Sequence, residues 1–271
     1  MMRYILQIFA AFALLPVWVA AHANELPFPV EAASYLVRVN DQVRWERAVE
    51  QKLPPASLTK IMSVLLVLEN YQPQKVVSVS VDATRETGTR LGLKIGERMR
   101  VKELLAASLL DSANDACHAL ADHVAGDEQH FVKLMNQRAQ EWGLEATHFT
   151  NACGHDDELH YSSVQDLVVL ADMALANPVF ADLVAKHTLI IRSADGSRSF
   201  KLENSNALIG RYPGTIGVKT GYTDKAGKCL IALVERSGVN VLLIMLHASD
   251  RWWDASDILD YAFSKKARHV P

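Results

Sequence analysis

The chain has 271 residues, of which 49% are hydrophobic and 22% are charged, and its formal charge at pH 7 is -3. This composition is typical of a globular protein and excludes a disordered chain. Because the charge balance is slightly acidic, nucleic acid is not expected as a partner.

The first predicted element is an export signal. Residues 1–23 place Arg3 before an apolar run that ends in the small residues Ala21 and Ala23, a pattern typical of a secretory signal. We expect cleavage before Asn24 and export to the periplasm or another extracytoplasmic space. The alternative is an uncleaved membrane anchor, for which the apolar run is at the short end of the required length.

The mature chain, residues 24–271, is predicted to form a single domain. Strands are expected on either side of residues 40–42 and again on either side of Ser237-Gly238. Apolar residues recur every three or four positions in four predicted helical stretches, which are residues 101–124, 128–144, 163–176 and 252–263. This order favours a mixed α/β (α+β) fold, in which the first and last strands of an antiparallel sheet are neighbours and a helical lobe is inserted between them.

A serine and a lysine stand three residues apart where a buried helix is predicted to begin. Pro54 and Pro55 keep the preceding chain extended, and residues 61–70 are apolar on nearly every side. Positions three apart share a helix face, so Lys60 should lie beside Ser57 in apolar surroundings. Burial lowers the pKa of an amine, and a neutral amine can act as the general base for a nearby hydroxyl. The alternative is an ordinary helix start, with a capping serine and a lysine that reaches solvent.

Two further motifs strengthen the catalytic interpretation. Ser112 and Asn114 stand at a break between two helical runs, and Lys219, Thr220 and Gly221 lie on a strand that enters a turn. Each motif alone is weak because it is short. Together with the first motif, in this order and spacing, they strongly indicate a serine enzyme.

With these motifs the sequence resembles the serine penicillin-recognising enzymes, which carry S-x-x-K, S-D-N and K-T-G. It is more similar still to the low-molecular-weight D-alanyl-D-alanine carboxypeptidases, over about residues 27–263. The segments that carry this resemblance include "ASLTKIMS", "THFTNACGHDDELHYSS", "NSNALI" and "GVKTGYTDKAGKCL". The resemblance implies a β-lactamase/transpeptidase-like fold, with a five-stranded antiparallel sheet, a helical lobe and an active site in the cleft between them.

The resemblance also implies roles for the motif residues. Ser57 would be the nucleophile and Lys60 the base that takes its proton. Ser112 would relay a proton to the leaving amine, and Asn114 would hold the peptide amide. Lys219 would be a second cation that lowers the pKa of Lys60.

The resemblance further implies that the K-T-G motif and the residues near its end bind the substrate. Thr220, next to Gly221, and Arg251 are candidates for binding the terminal carboxylate. The backbone N–H groups of Ser57 and Tyr222 would form the oxyanion hole. Tyr222 stands where many relatives carry histidine, which leaves the reaction rate and the peptide preference open.

The implied activity is that of an exported serine-type D-Ala-D-Ala carboxypeptidase. It would remove the terminal D-alanine from peptidoglycan stem peptides through an acyl-enzyme, and β-lactam antibiotics would acylate the same serine. We expect no cofactor, no metal and a monomer. We also expect neither the β-rich C-terminal domain nor the membrane-anchoring helix that several relatives add.

Three alternatives remain open. A D,D-endopeptidase would cut cross-links, but the small Ala113 favours free peptide ends, because it leaves the cleft without an extra carboxylate. A class A β-lactamase needs a glutamate for deacylation, and the nearest candidate, Glu203, fits the carboxypeptidase pattern instead. A wall-binding protein without turnover is disfavoured by the intact set of polar motif residues.

The other chemistry-bearing residues predict no further site. The cluster His155, Asp156, Asp157 and His160 lacks a regular metal-ligand spacing. Surface positions or satisfied core positions are expected for His118, His123 and His130.

The cysteines predict little by themselves. Cys117 has helical spacing with apolar residues and is expected to fill a small core position. Cys117, Cys153 and Cys229 allow at most one disulfide, and the sequence does not identify the pair.

Overall fold

The computed structural model describes residues 26–264. The predicted export signal, residues 1–23, lies outside this range, as do both predicted ends of the mature domain, residues 24 and 271. Within the described range no single helix has the length and apolar composition to cross a membrane. One helix pair, Val164–Leu175 with Pro178–Val184, meets those criteria jointly but is bent by 103°.

A five-stranded antiparallel sheet forms the framework of the molecule, in the order β2-β1-β9-β8-β7. Its strands are β1 (Ser34–Val39), β2 (Gln42–Arg47), β7 (Thr215–Thr223), β8 (Gly227–Arg236) and β9 (Val239–Ala248). Strand β1 pairs with β9, with Ser34 opposite Leu246. The first and last strands are therefore neighbours, as the sequence predicts, and both predicted hairpins are present.

The helical lobe lies between β2 and β7 in the chain. Its helical elements are a 3-10 turn (Ala56–Thr59), α1 (Lys60–Glu69), α2 (Val81–Arg85), α3 (Val101–Ala106), a π-helical turn (Ala107–Asp111), α4 (Asn114–Ala125), α5 (Glu128–Glu141), α6 (Val164–Leu175) and α7 (Pro178–Val184). Two small hairpins complete it, formed by β3 (Val76–Ser78) with β4 (Arg98–Arg100) and by β5 (Thr188–Arg192) with β6 (Ser199–Glu203). The last helix, α8 (Arg251–Phe263), follows the sheet.

Two apolar clusters cover the two faces of the sheet. Side chains alternate along β8, so that Ile231 joins the cluster under the helical lobe while Leu230 and Ala232 join the cluster under α8. Strand β7 is at the edge of the sheet and runs against the 3-10 turn before α1. The sheet edge and the start of the buried helix therefore lie side by side, and the three motifs come together there.

A substitution at Leu259 tests how much the packing of α8 on the sheet contributes to stability. It is fully buried in that cluster, so Leu259→Ala should lower the free energy of unfolding by about 2–5 kcal/mol through lost burial and a residual cavity. Guanidinium denaturation followed by circular dichroism measures this loss. An unchanged midpoint would show that the α8 cluster contributes little to stability.

Candidate active site

Ser57 lies in a 3-10 turn that leads directly into α1. In 3-10 geometry the side chains at i and i+3 eclipse one another, so Lys60 lies beneath Ser57. The Lys60 Nζ and Ser57 Oγ atoms are 2.9 Å apart. The sequence predicts this contact on an α-helical face, and the tighter turn produces it at the helix start.

The Lys60 amine is enclosed by protein. Its side chain is 0% exposed, and Nζ donates to Asn114 Oδ1 and to the Cys153 carbonyl, each at 2.7 Å. Burial lowers the pKa of Lys60 well below its usual range, the charge of Lys219 lowers it further, and the carboxylate of Glu86 opposes both. The low pKa favours the neutral amine that a general base requires.

Asn114 stands where the π-helical turn meets α4 and is held on several sides. Its side-chain Nδ2 donates to Thr87 O at 2.6 Å, and its backbone N–H donates to Thr89 O at 2.8 Å. These bonds leave Oδ1 directed at Lys60. The break between two helical runs that the sequence predicts here is therefore a means of placing an amide against the amine.

Ser112 forms that break by adopting a left-handed conformation, with φ of 60°. The following residue, Ala113, is 0% exposed. The Ala113 side chain therefore belongs to the core and does not itself line the cleft, and the preference for free peptide ends stays a prediction.

Lys219 closes the cleft from the sheet side. Its Nζ donates to Ser112 Oγ at 2.9 Å and to Thr220 O at 3.0 Å, and its side chain is buried. Burial, followed by the charge of Arg251, lowers the pKa of Lys219 to about 7. Ser57 and Ser112 thus each have a buried lysine within hydrogen-bond distance.

Gly221 allows β7 to pass close to Ser57. A Cβ at this position would stand 2.9 Å from Pro55 O and 3.1 Å from Ser57 N. Because both contacts are with backbone atoms, a side chain would force the strand away from the turn. Glycine is therefore needed for β7 to pass beside the turn that carries Ser57.

Tyr222 and Arg251 lie at the end of β7. The Tyr222 side chain is 59% exposed and donates its hydroxyl to Asp224 at 3.1 Å. Arg251 Nη1 donates to Gly221 O at 2.5 Å and to Cys229 O at 3.2 Å, while its buried Nε has no partner among the described residues. Arg251 thus reaches from α8 to the strand that carries Lys219, Thr220 and Gly221. The role of the Tyr222 N–H in an oxyanion hole stays a prediction.

Ser205 is a site residue that motif reasoning missed. Its Oγ lies 2.8 Å from Thr220 Oγ1, and its N–H donates to Leu110 O at 2.9 Å. It therefore links β7 to the turn that leads to Ser112. The segment "NSNALI" carries the family resemblance, but no spacing rule assigns a role to its serine.

Glu86 is a second missed residue. It accepts from His118 Nδ1 at 2.6 Å and from His155 Nε2 at 2.5 Å. Burial acts to raise the pKa of Glu86, but the hydrogen bonds from the two histidines outweigh it and lower the pKa to about 2. Glu86 is therefore a fixed negative charge near Lys60, and not a proton acceptor.

Among the described residues, the histidine and aspartate side chains of residues 155–160 do not converge on one point. His155 pairs with Glu86, and Asp156 accepts from the Thr223 hydroxyl at 2.5 Å, which ties this loop to the end of β7. His160 is buried, and burial lowers its pKa to about 4. His155 and Asp156 thus attach the loop to two different parts of the chain.

Three other side chains lie close enough together to share a metal ion. Within residues 26–264, ligand atoms of Glu86, His118 and Glu128 lie within 4.8 Å of one another. Both ring nitrogens of His118 face carboxylates, since Nε2 is 3.5 Å from Asp122. Burial opposes protonation of His118, but Asp122 and Glu86 together raise its pKa to about 10. His118 is thus a core histidine whose two ring nitrogens both face carboxylates, which favours its charged form.

The cysteines pair in a way that the sequence leaves open. Cys117 in α4 is bonded to Cys153, with their Cα atoms 6.0 Å apart, and both are buried. Cys117 fills the expected core position, but as half of a disulfide. Cys229 is a buried thiol, and burial raises its pKa to about 11.

The sequence matches one family of peptidases. The family model described as D-alanyl-D-alanine carboxypeptidase, peptidase S11, matches residues 21–250. The D-alanyl-D-alanine carboxypeptidase DacF of Bacillus subtilis is 35% identical over 254 residues, which are 91% of this chain and 65% of that protein. The chain thus spans just under two thirds of the length of this relative.

Solved structures share the fold. The D-alanyl-D-alanine carboxypeptidase of Mycobacterium tuberculosis H37Rv superposes with a TM-score of 0.81 at 32% identity, over 89% of this chain and 94% of that chain. Penicillin-binding protein D2 of Listeria monocytogenes, in an ampicillin-bound form, gives 0.76 at 29% identity, over 87% and 98% of the two chains. These similarities confirm the predicted transpeptidase-like fold.

Opposite charges near Lys60 should shift the pH dependence of Ser57 acylation in opposite directions. Lys219→Ala removes a positive charge that lowers the pKa of Lys60, so the acid limb of the rate should move to higher pH. Glu86→Gln removes a negative charge that raises this pKa, so the acid limb should move to lower pH. The measurement is the acylation rate with a fluorescent penicillin as a function of pH.

Matched controls are available on the surface. Lys201 and Glu203 form an exposed ion pair at 2.6 Å, so Lys201→Ala and Glu203→Gln should leave the acid limb in place. Shifts of the same sign in Lys219→Ala and Glu86→Gln would contradict the electrostatic assignment.

Proposed function

The chain belongs to the D-alanyl-D-alanine carboxypeptidase family of serine peptidases, and from this we propose that it removes the terminal D-alanine from peptidoglycan stem peptides. The observation that carries the proposal is the fully buried Lys60 amine, 2.9 Å from Ser57 Oγ. This pair supplies a nucleophile with its base already in contact, as covalent catalysis requires.

In the proposed acylation step, Ser57 attacks the carbonyl of the penultimate D-alanine. Its proton passes to the neutral amine of Lys60 as the new C–O bond forms. The negative charge that develops on the carbonyl oxygen would be received by the N–H groups of Ser57 and Tyr222. The close passage of β7 at Gly221 supports this arrangement, because it brings the strand that carries Tyr222 near the Ser57 amide.

The leaving D-alanine needs a proton on its nitrogen. Ser112 is suited to deliver it, since its oxygen accepts a hydrogen bond from Lys219 Nζ at 2.9 Å and its own hydrogen is free for the leaving nitrogen. Asn114 Nδ2 is engaged by Thr87 O and its Oδ1 by Lys60, so we propose that Asn114 orients the amine as well as the peptide amide. Water then hydrolyses the ester on Ser57: the water proton restores the Ser112 hydroxyl, and Lys60 returns its proton to Ser57 Oγ, which completes the cycle.

The C-terminal carboxylate of the substrate would be bound at the end of β7. Thr220 presents a hydroxyl there, Lys219 lies behind it, and Arg251 is held against the same strand by Gly221 O. Two cationic side chains beside a hydroxyl favour a free carboxylate over a neutral peptide continuation. This feature supports the release of a terminal residue.

We propose that β-lactams acylate the same serine. The Listeria relative is described in an ampicillin-bound form, and the cleft of this chain is formed by the three motifs that penicillin-recognising enzymes carry. We further propose that the enzyme acts as an exported monomer on peptidoglycan, because residues 1–23 carry a predicted export signal.

A β-lactamase activity is not supported by the carboxylates near the site. Glu203 is exposed and paired with Lys201, so it is not directed at Ser57. Glu86 is nearer to Lys60, but each of its two carboxylate oxygens accepts a hydrogen bond from a histidine. Among the described residues, neither glutamate is placed to activate a deacylating water.

A fluorescent penicillin should label the protein once, on Ser57. Ser57→Ala should abolish the label and leave the circular dichroism spectrum unchanged, because Ser57 is only partly buried and is not part of the apolar core. Gel fluorescence and peptide mass analysis measure this result. Label that persists in Ser57→Ala, or that maps to Ser112, would refute the assignment of the nucleophile.

The preferred substrate should be a free pentapeptide end. Protein beginning at Asn24 should release D-alanine from a defined pentapeptide faster than it cleaves a purified cross-linked dimer, because the carboxylate site at Thr220 and Arg251 needs a free terminus. Product formation is followed by chromatography, with Ser57→Ala as the blank. Dimer cleavage at equal or greater efficiency would change the assignment to D,D-endopeptidase.

A further inference from the structure

The Cys153 loop, residues 151–155, supplies a partner of Lys60 although it contains no motif residue. Its Cys153 carbonyl accepts from Lys60 Nζ at 2.7 Å. At the next residue, a Cβ on Gly154 would come within 2.9 Å of Ser57 N. The loop therefore lies directly behind both the nucleophile and the base, and its displacement would move an acceptor of the amine.

The number of hydrogens on Lys60 makes this acceptor important. A neutral amine has two N–H donors and one lone pair. Asn114 Oδ1 and Cys153 O, each at 2.7 Å, take the two hydrogens, which leaves the lone pair for the Ser57 hydroxyl at 2.9 Å. If the Cys153 carbonyl is not held in place, an N–H can turn towards Ser57, and the amine then cannot accept the serine proton.

One covalent bond connects the two acceptors. Cys117 lies three residues after Asn114 in the first turn of α4 and is bonded to Cys153. Both cysteines are buried, and their Cα separation of 6.0 Å is ordinary for a disulfide. The bond therefore fixes the Cys153 loop relative to the helix that carries Asn114.

We propose that the Cys117–Cys153 disulfide is a positioning element of the active site, which holds the Cys153 carbonyl so that the lone pair of Lys60 points at Ser57. This inference rests on the proposed function, because it takes Lys60 as the base. The sulfur atoms take no part in the chemistry, since the effect passes through a backbone carbonyl that every side-chain variant retains.

The first measurement establishes the bond itself. Wild-type protein, unfolded without reductant, should show one titratable thiol, that of Cys229, out of three cysteines. Three titratable thiols would overturn the proposal.

The decisive measurement is the acylation rate with a fluorescent penicillin as a function of pH. Cys117→Ala, Cys153→Ala and the double variant should each be about tenfold slower on the plateau, equivalent to about 1.4 kcal/mol in activation free energy. The double variant should be no slower than the single ones, because all three break the same bond. The acid limb should move to lower pH, because the ammonium form of Lys60 loses a fixed acceptor.

A purely stabilising disulfide would give a different result. Leu259 is buried in the α8 cluster, away from the Cys153 loop. The variant Leu259→Ala therefore serves as a control that lowers stability without altering the loop. Assayed well below its melting temperature, it should retain the wild-type rate and the wild-type acid limb. Cysteine variants that match wild type, or a Leu259→Ala profile that shifts as theirs do, would overturn the proposal.

Ser63→Ala decides the question if the cysteine variants do not fold. Ser63 Oγ donates to Ala152 O at 2.5 Å and holds the same loop from α1. This variant should slow acylation less than the cysteine variants, with the acid limb again at lower pH, and an unchanged profile would overturn the proposal. A wild-type protein that is not acylated at all would instead refute the proposed function.

Discussion

The neutral form of a buried lysine is the condition on which this site depends. An isolated ammonium group is costly to remove from water, so a lysine placed at the start of a core helix gives up its proton more readily. The chain reinforces this effect with a second buried lysine, Lys219, and moderates it with the carboxylate of Glu86. The surrounding structure can be understood as the means of enclosing one amine while keeping it within reach of Ser57.

Enclosure requires parts that are distant in the chain to meet at one point. The 3-10 turn supplies Ser57 and the buried helix α1 supplies Lys60. The start of α4 supplies Asn114, and the edge strand β7 closes the other side. Because β7 is at the edge of the sheet, its backbone is available to a cleft without interrupting the sheet. Gly221 then permits an approach that any side chain would prevent.

The helical lobe contains more links around this point than catalysis by the motif residues alone would need. The Cys117–Cys153 disulfide and the contacts of Glu86 with His118 and His155 join α4, the segment after α2 and the Cys153 loop. A base that uses a lone pair must be oriented as well as deprotonated, and orientation depends on where its hydrogens go. Rigid acceptors therefore have a chemical value beyond their contribution to stability.

The fold and most of the site were open to prediction because their signals are local. Periodicity and turn residues identify the outer hairpins and the long helices. Ser57 and Lys60 are three residues apart, so any helical turn brings their side chains together. The motif around Ser112 is similarly short, and its break is visible as an interruption of helical spacing. Resemblance to a family then assigns roles to residues that the motifs already single out.

The remaining features were decided only by tertiary structure. Cys153 contributes a backbone carbonyl, 93 residues from Lys60 in the chain, and a carbonyl has no residue identity that a motif could record. The contacts of Glu86 and Ser205 likewise join distant segments, and the side-chain direction at Ala113 follows from the conformation of the residue before it. The sequence by itself determined which groups could react, whereas packing decided which acceptors enclose the amine, because long-range contacts have no fixed spacing in the chain.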